Sequence, residues 1–252
     1  MKSKKSLISN SEDWDVHHGN GIQHSFESSQ EVLYISLHYY DHGSFYPGGR
    51  DGDPSKVGIG KGEGYNINIA WNGYGPFADV EYLSAFDSIV IPAVTEFQPD
   101  LILISAGFDA GINDPIGECD VTPTGFGKML EKLKVFAEGR ILLALEGGYN
   151  LQTISSSMLC CANVLLGDKI VEKPPLRPIS KDAKDAIRQT VNEHLKLKNP
   201  FSQAWTCSKD EQVKVSSSVE LKAPCEVPKA NPLSQVQVII RNTRLFSTFS
   251  IT

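Results

Sequence analysis

The alternation of apolar strand patterns with helical patterns is the feature that most constrains the fold of this chain. Leu101–Ala106 and Ile141–Leu145 are almost continuously apolar, which is typical of strands covered on both faces in a parallel sheet. Residues 32–38 form another short apolar run, whereas residues 65–71 alternate with period two and predict a strand with one polar face. Helical spacing occupies about 79–97, 124–137 and 151–166. This order predicts an α/β fold with a central parallel sheet.

The chain changes character after residue 168. Residues 173–178 contain three prolines and predict a linker, and residues 180–197 show apolar positions at a spacing of four, which predicts an amphipathic helix. From residue 199 onward Ser, Lys and Pro dominate and periodicity is weak, which predicts a disordered tail. Within the helix expected from Asp79, Pro92 predicts a kink near the end.

Composition excludes several classes of protein. The net charge of −6 and the isoelectric point near 5.5 argue against direct nucleic-acid binding, and the absence of 18 consecutive apolar residues argues against a membrane span. Five cysteines without CxxC spacing favour reduced thiols in an intracellular protein over a disulfide framework. The glycine-rich stretch 43–64 lacks the spacing of a phosphate-binding loop and leads into a strand, so it predicts a flexible loop.

Histidine is concentrated near the start of the chain, where five of the six lie within the first 42 residues. Residues 13–21 read DWDVHHGNG. In an extended segment, alternate residues share one face, so Asp13, Asp15 and His17 would present two carboxylates and an imidazole together. Mixed oxygen and nitrogen ligation suits a zinc ion with an open position. A turn stabilised by polar caps explains the same residues, and both interpretations stay open.

Two further segments place polar residues directly after apolar strands, at the edge where parallel sheets build their sites. Asp109 lies in SAGFDA and could be a ligand or a cap of the next element. Tyr149 lies in LEGGYN, where it could donate to an oxyanion or merely pack, and the preceding glycines permit close approach of the backbone to a ligand.

Taken in order, the segments DWDVHHGNG, SLHYYDHGSFYPGG, SAGFDAGINDP and LEGGYN closely resemble the zinc-dependent histone deacetylase family, in its class II and more narrowly class IIb-like form. The resemblance covers residues 13–168 and leaves residues 1–12 as an atypical N-terminus. It implies the three-layer α/β/α arginase-like fold, with the site at the carboxyl edge of the sheet. It also implies a His-His pair upstream of DWDVHHGNG, and the expectation is that this N-terminal part of the domain is missing here.

The resemblance implies a role for each matching residue. Asp15, His17 and Asp109 would bind one Zn²⁺, and Tyr149 would hydrogen-bond the tetrahedral oxyanion. Asp13 and Asn20 match residues that orient the upstream histidines. The substrate tunnel would include Tyr46, Ile116 and Gly148. A first site for a monovalent cation such as K⁺ would use Asp13, Asp15, His17, Ser36 and Leu37, and a second would use Phe26, Ser29, Val32 and Tyr65.

The implied function is zinc-dependent removal of acetyl groups from lysine in histone tails or other proteins, in the nucleus or the cytoplasm, with a corepressor complex as a partner and a role in transcriptional repression. The truncated chain could be inactive, because loss of a general base costs about 10²–10⁴-fold in rate. Two alternatives stay open: a non-catalytic adaptor and an acetylpolyamine amidohydrolase. The apolar Ile116, where a polyamine enzyme would carry an acidic residue, favours acyl-lysine.

Overall fold

The computed structural model describes residues 9–171, 177–197, 237–242 and 245–250. Seven strands form one sheet: β1 (Ser9–Asp13), β2 (Leu33–Tyr39), β3 (Asn66–Trp71), β4 (Leu101–Ala106), β5 (Ile141–Leu145), β6 (Gln237–Asn242) and β7 (Leu245–Ser250). The helices are α1 (Asn20–Phe26), α2 (Asp79–Ala85), α3 (Ile91–Phe97), α4 (Pro123–Leu133), α5 (Leu151–Leu166) and α6 (Lys181–Leu195), with a π-helical segment (Phe86–Val90) between α2 and α3. The predicted α/β class is confirmed.

The sheet has the order β3-β2-β1-β4-β5-β6-β7, and every pair is parallel except β6 and β7. Strand β1 therefore lies between β2 and β4, and its last residue, Asp13, is the register partner of both Ser36 and Ser105. The carboxyl ends of these strands meet at one edge. The loops that follow β1 and β4 thus start side by side, although about 90 residues separate them in the sequence.

Helix starts and ends differ in detail from the sequence pattern. Helix α2 is capped by Ala78, and Asp79 is its first residue. The Asp79 carboxylate instead accepts hydrogen bonds from the N–H and hydroxyl of Thr122, each at 2.7 Å, and Thr122 caps α4. The predicted kink takes the form of the π-helical segment that directly precedes α3, whose second residue is Pro92.

Strand β3 was expected to have one polar face, but all six of its residues are buried. Helix α6 packs on this strand, and the Thr190 hydroxyl donates to the Asn68 carbonyl at 2.8 Å. The Asn66 and Asn68 side chains instead donate to the Lys56 carbonyl and to Gln23. The polar residues of β3 do alternate along the strand, but their side chains form a buried hydrogen-bond network and do not face solvent.

Strand β1 lies mostly in the stretch that the resemblance left as an atypical N-terminus, and β6 and β7 lie where composition predicted a disordered tail. The segments 237–242 and 245–250 carry Val238, Ile239, Ile240, Phe246 and Phe249, residue types that favour strands. The residues around these segments are rich in Ser, Lys and Pro, so the average composition of the tail does not indicate the two short strands. The rest of the predicted tail lies outside the described residues. Within the described part of the chain, no helix combines the length and apolar character needed to cross a membrane.

Candidate active site

Three potential metal ligands converge at the carboxyl edge of the sheet. Asp15 and His17 follow β1, and Asp109 follows β4. His17 Nδ1 lies 2.8 Å from Asp15 Oδ1 and 3.3 Å from Asp109 Oδ2, and one ligand atom from each residue lies within 4.8 Å of the others. The structure therefore brings together the three residues for which the sequence predicted zinc ligation.

Backbone N–H groups hold the two carboxylates in place. Val16 N donates to Asp109 Oδ1 at 2.8 Å, and Gly147 N donates to Asp15 Oδ2 at 3.0 Å. Asp109 thus does not cap the element that follows it. Its second oxygen, Oδ2, is buried and accepts no hydrogen bond from the described residues. A buried carboxylate oxygen whose nearest polar neighbour is an imidazole nitrogen at 3.3 Å, beside a second carboxylate, fits a divalent cation.

Two glycines allow this close packing. A Cβ on Gly107 would lie 2.1 Å from Asp15 Oδ2, and a Cβ on Gly147 would lie 2.1 Å from Asp109 Oδ2 and 2.4 Å from Asp15 Oδ2. Any side chain at either position would occupy the space of the carboxylates. Gly147 follows β5, so the LEGGYN segment forms a wall of the site through its backbone.

The site is electrostatically suited to a cation. Burial lowers the pKa of His17, but the carboxylates of Asp109 and Asp15 outweigh that effect and raise it to about 10. Burial raises the pKa of Asp109, and its contact with His17 opposes that shift. In the absence of an ion, a protonated imidazole therefore balances the two carboxylates. A metal ion would displace that proton and take over the same role.

Tyr149 stands beside this cluster on the segment between β5 and α5. Its side chain is 53% exposed, and its backbone N–H donates to Asp114 Oδ2 at 2.7 Å. The preceding residue, Gly148, has φ +124°, a conformation that side chains rarely adopt. Burial raises the pKa of Tyr149, and the charges of Asp109 and Asp15 add to this shift. The phenol is therefore neutral at pH 7 and can donate a hydrogen bond.

Aromatic rings surround the exposed side of His17. Tyr46, the predicted tunnel residue, meets the imidazole edge-on at 5.7 Å between ring centroids and is 73% exposed. Phe45, which sequence reasoning missed, stacks on the same ring at 5.3 Å and also contacts Tyr39. Its position immediately before Tyr46 in an aromatic pair was the available signal. Ile116 is 43% exposed on the loop after Asp109.

A cavity of about 250 Å³ opens next to the ligands. It is lined by Asp15, His17, His18, Gly19, Gly21, Ile22, Ser105 and Glu146. Asn20 is exposed at the start of α1, and the side chain of Asp13 lies outside the described residues. The predicted orienting roles of Asp13 and Asn20 stay predictions.

The residues matched to monovalent-cation sites lie around strands β2 and β3. Ser36 and Leu37 are buried in β2, and the Ser36 hydroxyl pairs with His38 Nδ1 at 2.9 Å. In the second set, the Phe26 carbonyl accepts from Ser29 N at 2.8 Å. The Tyr65 carbonyl accepts from Tyr34 N at 2.9 Å, and Val32 is buried just before β2. Cation binding at either set stays a prediction.

A buried network around Gln23 went unnoticed in the sequence. Gln23 Oε1 accepts from His18 Nε2 at 2.9 Å and from the side-chain amides of Asn66 and Asn68, at 3.0 and 2.9 Å. Gln23 Nε2 donates to the Asp51 carbonyl at 2.8 Å. Residues 50–56 of the glycine-rich stretch are therefore hydrogen-bonded to the core. The alternating asparagines of β3 were the one sequence signal for this network.

Comparisons with known proteins agree with this geometry. Residues 12–165 match the histone deacetylase domain. The chain is similar to histone deacetylase 5 of Arabidopsis thaliana, with 56% identity over 172 residues, which are 68% of this chain and 26% of that protein. It is similar to histone deacetylase 9 of Homo sapiens, with 50% identity over 184 residues, which are 71% of this chain and 17% of that protein.

Solved structures give the same result for the fold. The crystal structure of the HDA15 HD domain matches with a TM-score of 0.73 and 39% identity, over 82% of this chain and 55% of that chain. The structure of the histone deacetylase Clr3 matches with a TM-score of 0.71 and 37% identity, over 85% of this chain and 35% of that chain. The arginase-like deacetylase fold is thereby confirmed. The chain spans about a quarter to a third of the length of the Arabidopsis relatives that it matches.

Proposed function

Because the chain belongs to the zinc-dependent histone deacetylase family and is class II-like, we propose that its site binds one zinc ion and removes acetyl groups from lysine side chains. The observation that carries this proposal is the convergence of Asp15, His17 and Asp109, in which the buried Asp109 Oδ2 lies 3.3 Å from His17 Nδ1 and accepts no shorter contact from the described residues. Three protein ligands leave a coordination position for the reaction.

The ligand set suits zinc in both charge and geometry. Two carboxylates and one imidazole neutralise a divalent cation, and the N–H groups of Val16 and Gly147 orient the carboxylates by one oxygen each. When bound, zinc supplies Lewis acidity to the amide carbonyl and to the attacking water.

Tyr149 supplies the remaining stabilisation of the oxyanion. Its phenol is neutral at pH 7, because burial and the nearby carboxylates raise its pKa. A neutral phenol can donate to the oxygen of the scissile amide as negative charge develops there. A donor of this kind is worth about 10²–10³-fold in kcat.

The walls of the site favour an acyl-lysine substrate. Phe45 and Tyr46 present aromatic surface beside His17, which suits the aliphatic stem of a lysine side chain. The apolar, half-exposed Ile116 offers no carboxylate to a second positive charge, so a polyamine would gain little there. Acetylated lysine in histone tails or other proteins is therefore the substrate class that we propose. We also propose that the chain acts in the nucleus or cytoplasm, with a corepressor complex as a partner.

A structural potassium ion completes the proposal for the cofactors. Ser36 lies in β2 opposite Asp13, the last residue of β1, so Ser36 and the neighbouring Leu37 lie beside the strand that leads to Asp15 and His17. Carboxylate, hydroxyl and backbone carbonyl oxygens are the ligands that suit a hard cation. Raising KCl at constant ionic strength should then increase zinc-dependent turnover.

Zinc binding is the direct test. Asp109→Asn retains an oxygen that can accept from Val16 N and replaces the second oxygen by an amide, so it removes a ligand with little change in shape. By mass spectrometry after dialysis, the parent chain should hold one zinc ion and Asp109→Asn should hold none. The control is Asp87→Asn, at an exposed ion pair with Lys132, which should hold as much zinc as the parent chain. Absence of zinc from the parent chain would overturn the proposal.

The rate of acetate release from two substrates tests the proposed substrate class. The zinc-loaded chain is compared on an acetyl-lysine peptide and on acetylspermidine, with release of acetate as the readout. We expect release from the peptide only. A preference for acetylspermidine would contradict the argument from Ile116.

A further inference from the structure

Two loops of the site are joined by a set of side-chain hydrogen bonds. The loop after β4 carries Ile112, Asn113 and Asp114, and the segment after β5 leads through Tyr149 into helix α5. Asp114 Oδ2 accepts from Tyr149 N at 2.7 Å, Asn150 Nδ2 donates to the Asn113 carbonyl at 2.9 Å, and the Thr153 hydroxyl donates to the Ile112 carbonyl at 2.7 Å. These contacts fix the loop that bears Asp109 relative to the start of α5.

Within this set, Asp114 contacts both the loop after β4, at Ile116 and Gly117, and the segment after β5, at Tyr149. Its Oδ1 accepts from Ile116 N at 2.9 Å and from Gly117 N at 3.2 Å. Gly117 in turn packs against the backbone of Asp109, since a Cβ there would lie only 1.6 Å from the Asp109 carbonyl oxygen. One carboxylate thereby holds the tunnel residue Ile116, the backbone of a zinc ligand and the backbone of Tyr149.

The geometry points to Asp114 as a positioning residue for Tyr149, an inference that rests on the proposed deacetylase function. The Tyr149 side chain is more than half exposed, so surrounding side chains do not enclose it. The orientation of the side chain therefore depends on the backbone of Tyr149. This backbone is fixed on one side by Gly148, with φ +124°, and on the other by the start of helix α5. The N–H between these two constraints is held by Asp114 Oδ2.

The chemistry of the contact explains why a carboxylate is needed. Both oxygens of Asp114 accept from backbone N–H groups, and each such charge-assisted bond is stronger than a neutral one. An asparagine has one acceptor oxygen, which would stay with the two donors Ile116 N and Gly117 N, so its NH₂ group would turn toward Tyr149 N. Asp114→Asn therefore breaks one contact while it leaves the volume of the side chain almost unchanged.

A double-mutant cycle tests whether Asp114 acts through the phenol. In the zinc-loaded chain with an acetyl-lysine peptide, Asp114→Asn should lower kcat by about 10- to 100-fold, more than it raises KM, with zinc content unchanged. In a Tyr149→Phe background the same change should cost less than about 3-fold, because the donor that it displaces is already absent. Losses in kcat that multiply independently would overturn the inference. The control is Asp120→Asn, an exposed aspartate on the same loop.

Hydrogen exchange provides a readout that does not depend on turnover. The Tyr149 amide should exchange about 10-fold faster or more in Asp114→Asn than in Asp120→Asn, because its acceptor is weakened. Equal exchange rates would overturn the positioning role whether or not the chain turns over substrate. If exchange responds as expected but the parent chain releases no acetate, it is the proposed function that fails, and the contact between Asp114 and Tyr149 stands.

Discussion

Gly147→Ala should weaken zinc binding although residue 147 offers no side chain to the metal. The added Cβ would lie 2.1 Å from Asp109 Oδ2 and 2.4 Å from Asp15 Oδ2, whereas real Cβ atoms essentially never approach closer than 3.0 Å. Asp109 Oδ2 would have to retreat by about 0.9 Å, several times the tolerance of about 0.2 Å in metal–ligand distances. Displaced ligands and their supports typically cost 10- to 100-fold in affinity, so we expect a loss of about 100-fold.

Competition with a fluorescent zinc chelator measures this affinity, and circular dichroism shows whether the variant is folded. The matched control is Gly21→Ala on helix α1, where an added Cβ meets nothing within 4 Å. A Gly147→Ala chain that is folded and binds zinc as tightly as the Gly21→Ala chain would refute the assignment of Asp15 and Asp109 as a joint ligand pair.

Three other outcomes are expected. Arg177 forms an ion pair of 2.5 Å with the fully buried Glu81, so Arg177→Ala should lower the free energy of unfolding by about 3 kcal/mol in urea titrations. Tyr149→Phe should lower turnover by about 10²-fold without loss of zinc, as measured by acetate release and metal content. The urea concentration at the unfolding midpoint of the metal-free chain should decrease as the pH is lowered from 6.5 to about 4. Burial lowers the pKa of His194 to about 4 and that of His38 to about 3. In this pH range the unfolded chain therefore takes up protons that the folded chain does not.

Each of these has a control. Arg188→Ala, at an exposed ion pair on α6, should cost less than about 1 kcal/mol, and an equal loss in the two arginine variants would contradict the argument from burial. Zinc loss from Tyr149→Phe would show that the phenol is structural. His194→Gln should flatten the pH dependence. The raised pKa of His17 does not interfere, because its contribution is constant below pH 6.5 and is lost only as the pH rises toward 10.

Much of the fold follows from short-range patterns. The boundaries of β4, β5 and α5 agree with the sequence, because continuous apolar runs and a helix between clear breakers leave little choice. The grouping of Asp15, His17 and Asp109 was predictable only from the family resemblance. The sequence pattern placed Asp109 after a strand, but it did not predict β1, so nothing local indicated that Asp15 lies beside it.

Long-range polar contacts were beyond the reach of sequence patterns. The acceptors of the Asn66 and Asn68 amides lie 10 to 45 residues away, and nothing local distinguishes a solvated asparagine from one that is buried and bonded. The same holds for Asp114, whose bond to Tyr149 spans 35 residues. Strand β6 was missed for a different reason, since only three of its six residues are apolar and the surrounding tail is polar.

The hydrogen bonds of Gln23 have a consequence for motion. One amide side chain connects helix α1, strand β3 and residues 50–56, so none of the three can separate from the others without breaking the same bonds. These segments should open as one cooperative unit in native-state exchange, although they are far apart in the sequence. Loss of the Gln23 side chain should therefore speed exchange in the outer strand β3 as well as in helix α1 and residues 50–56.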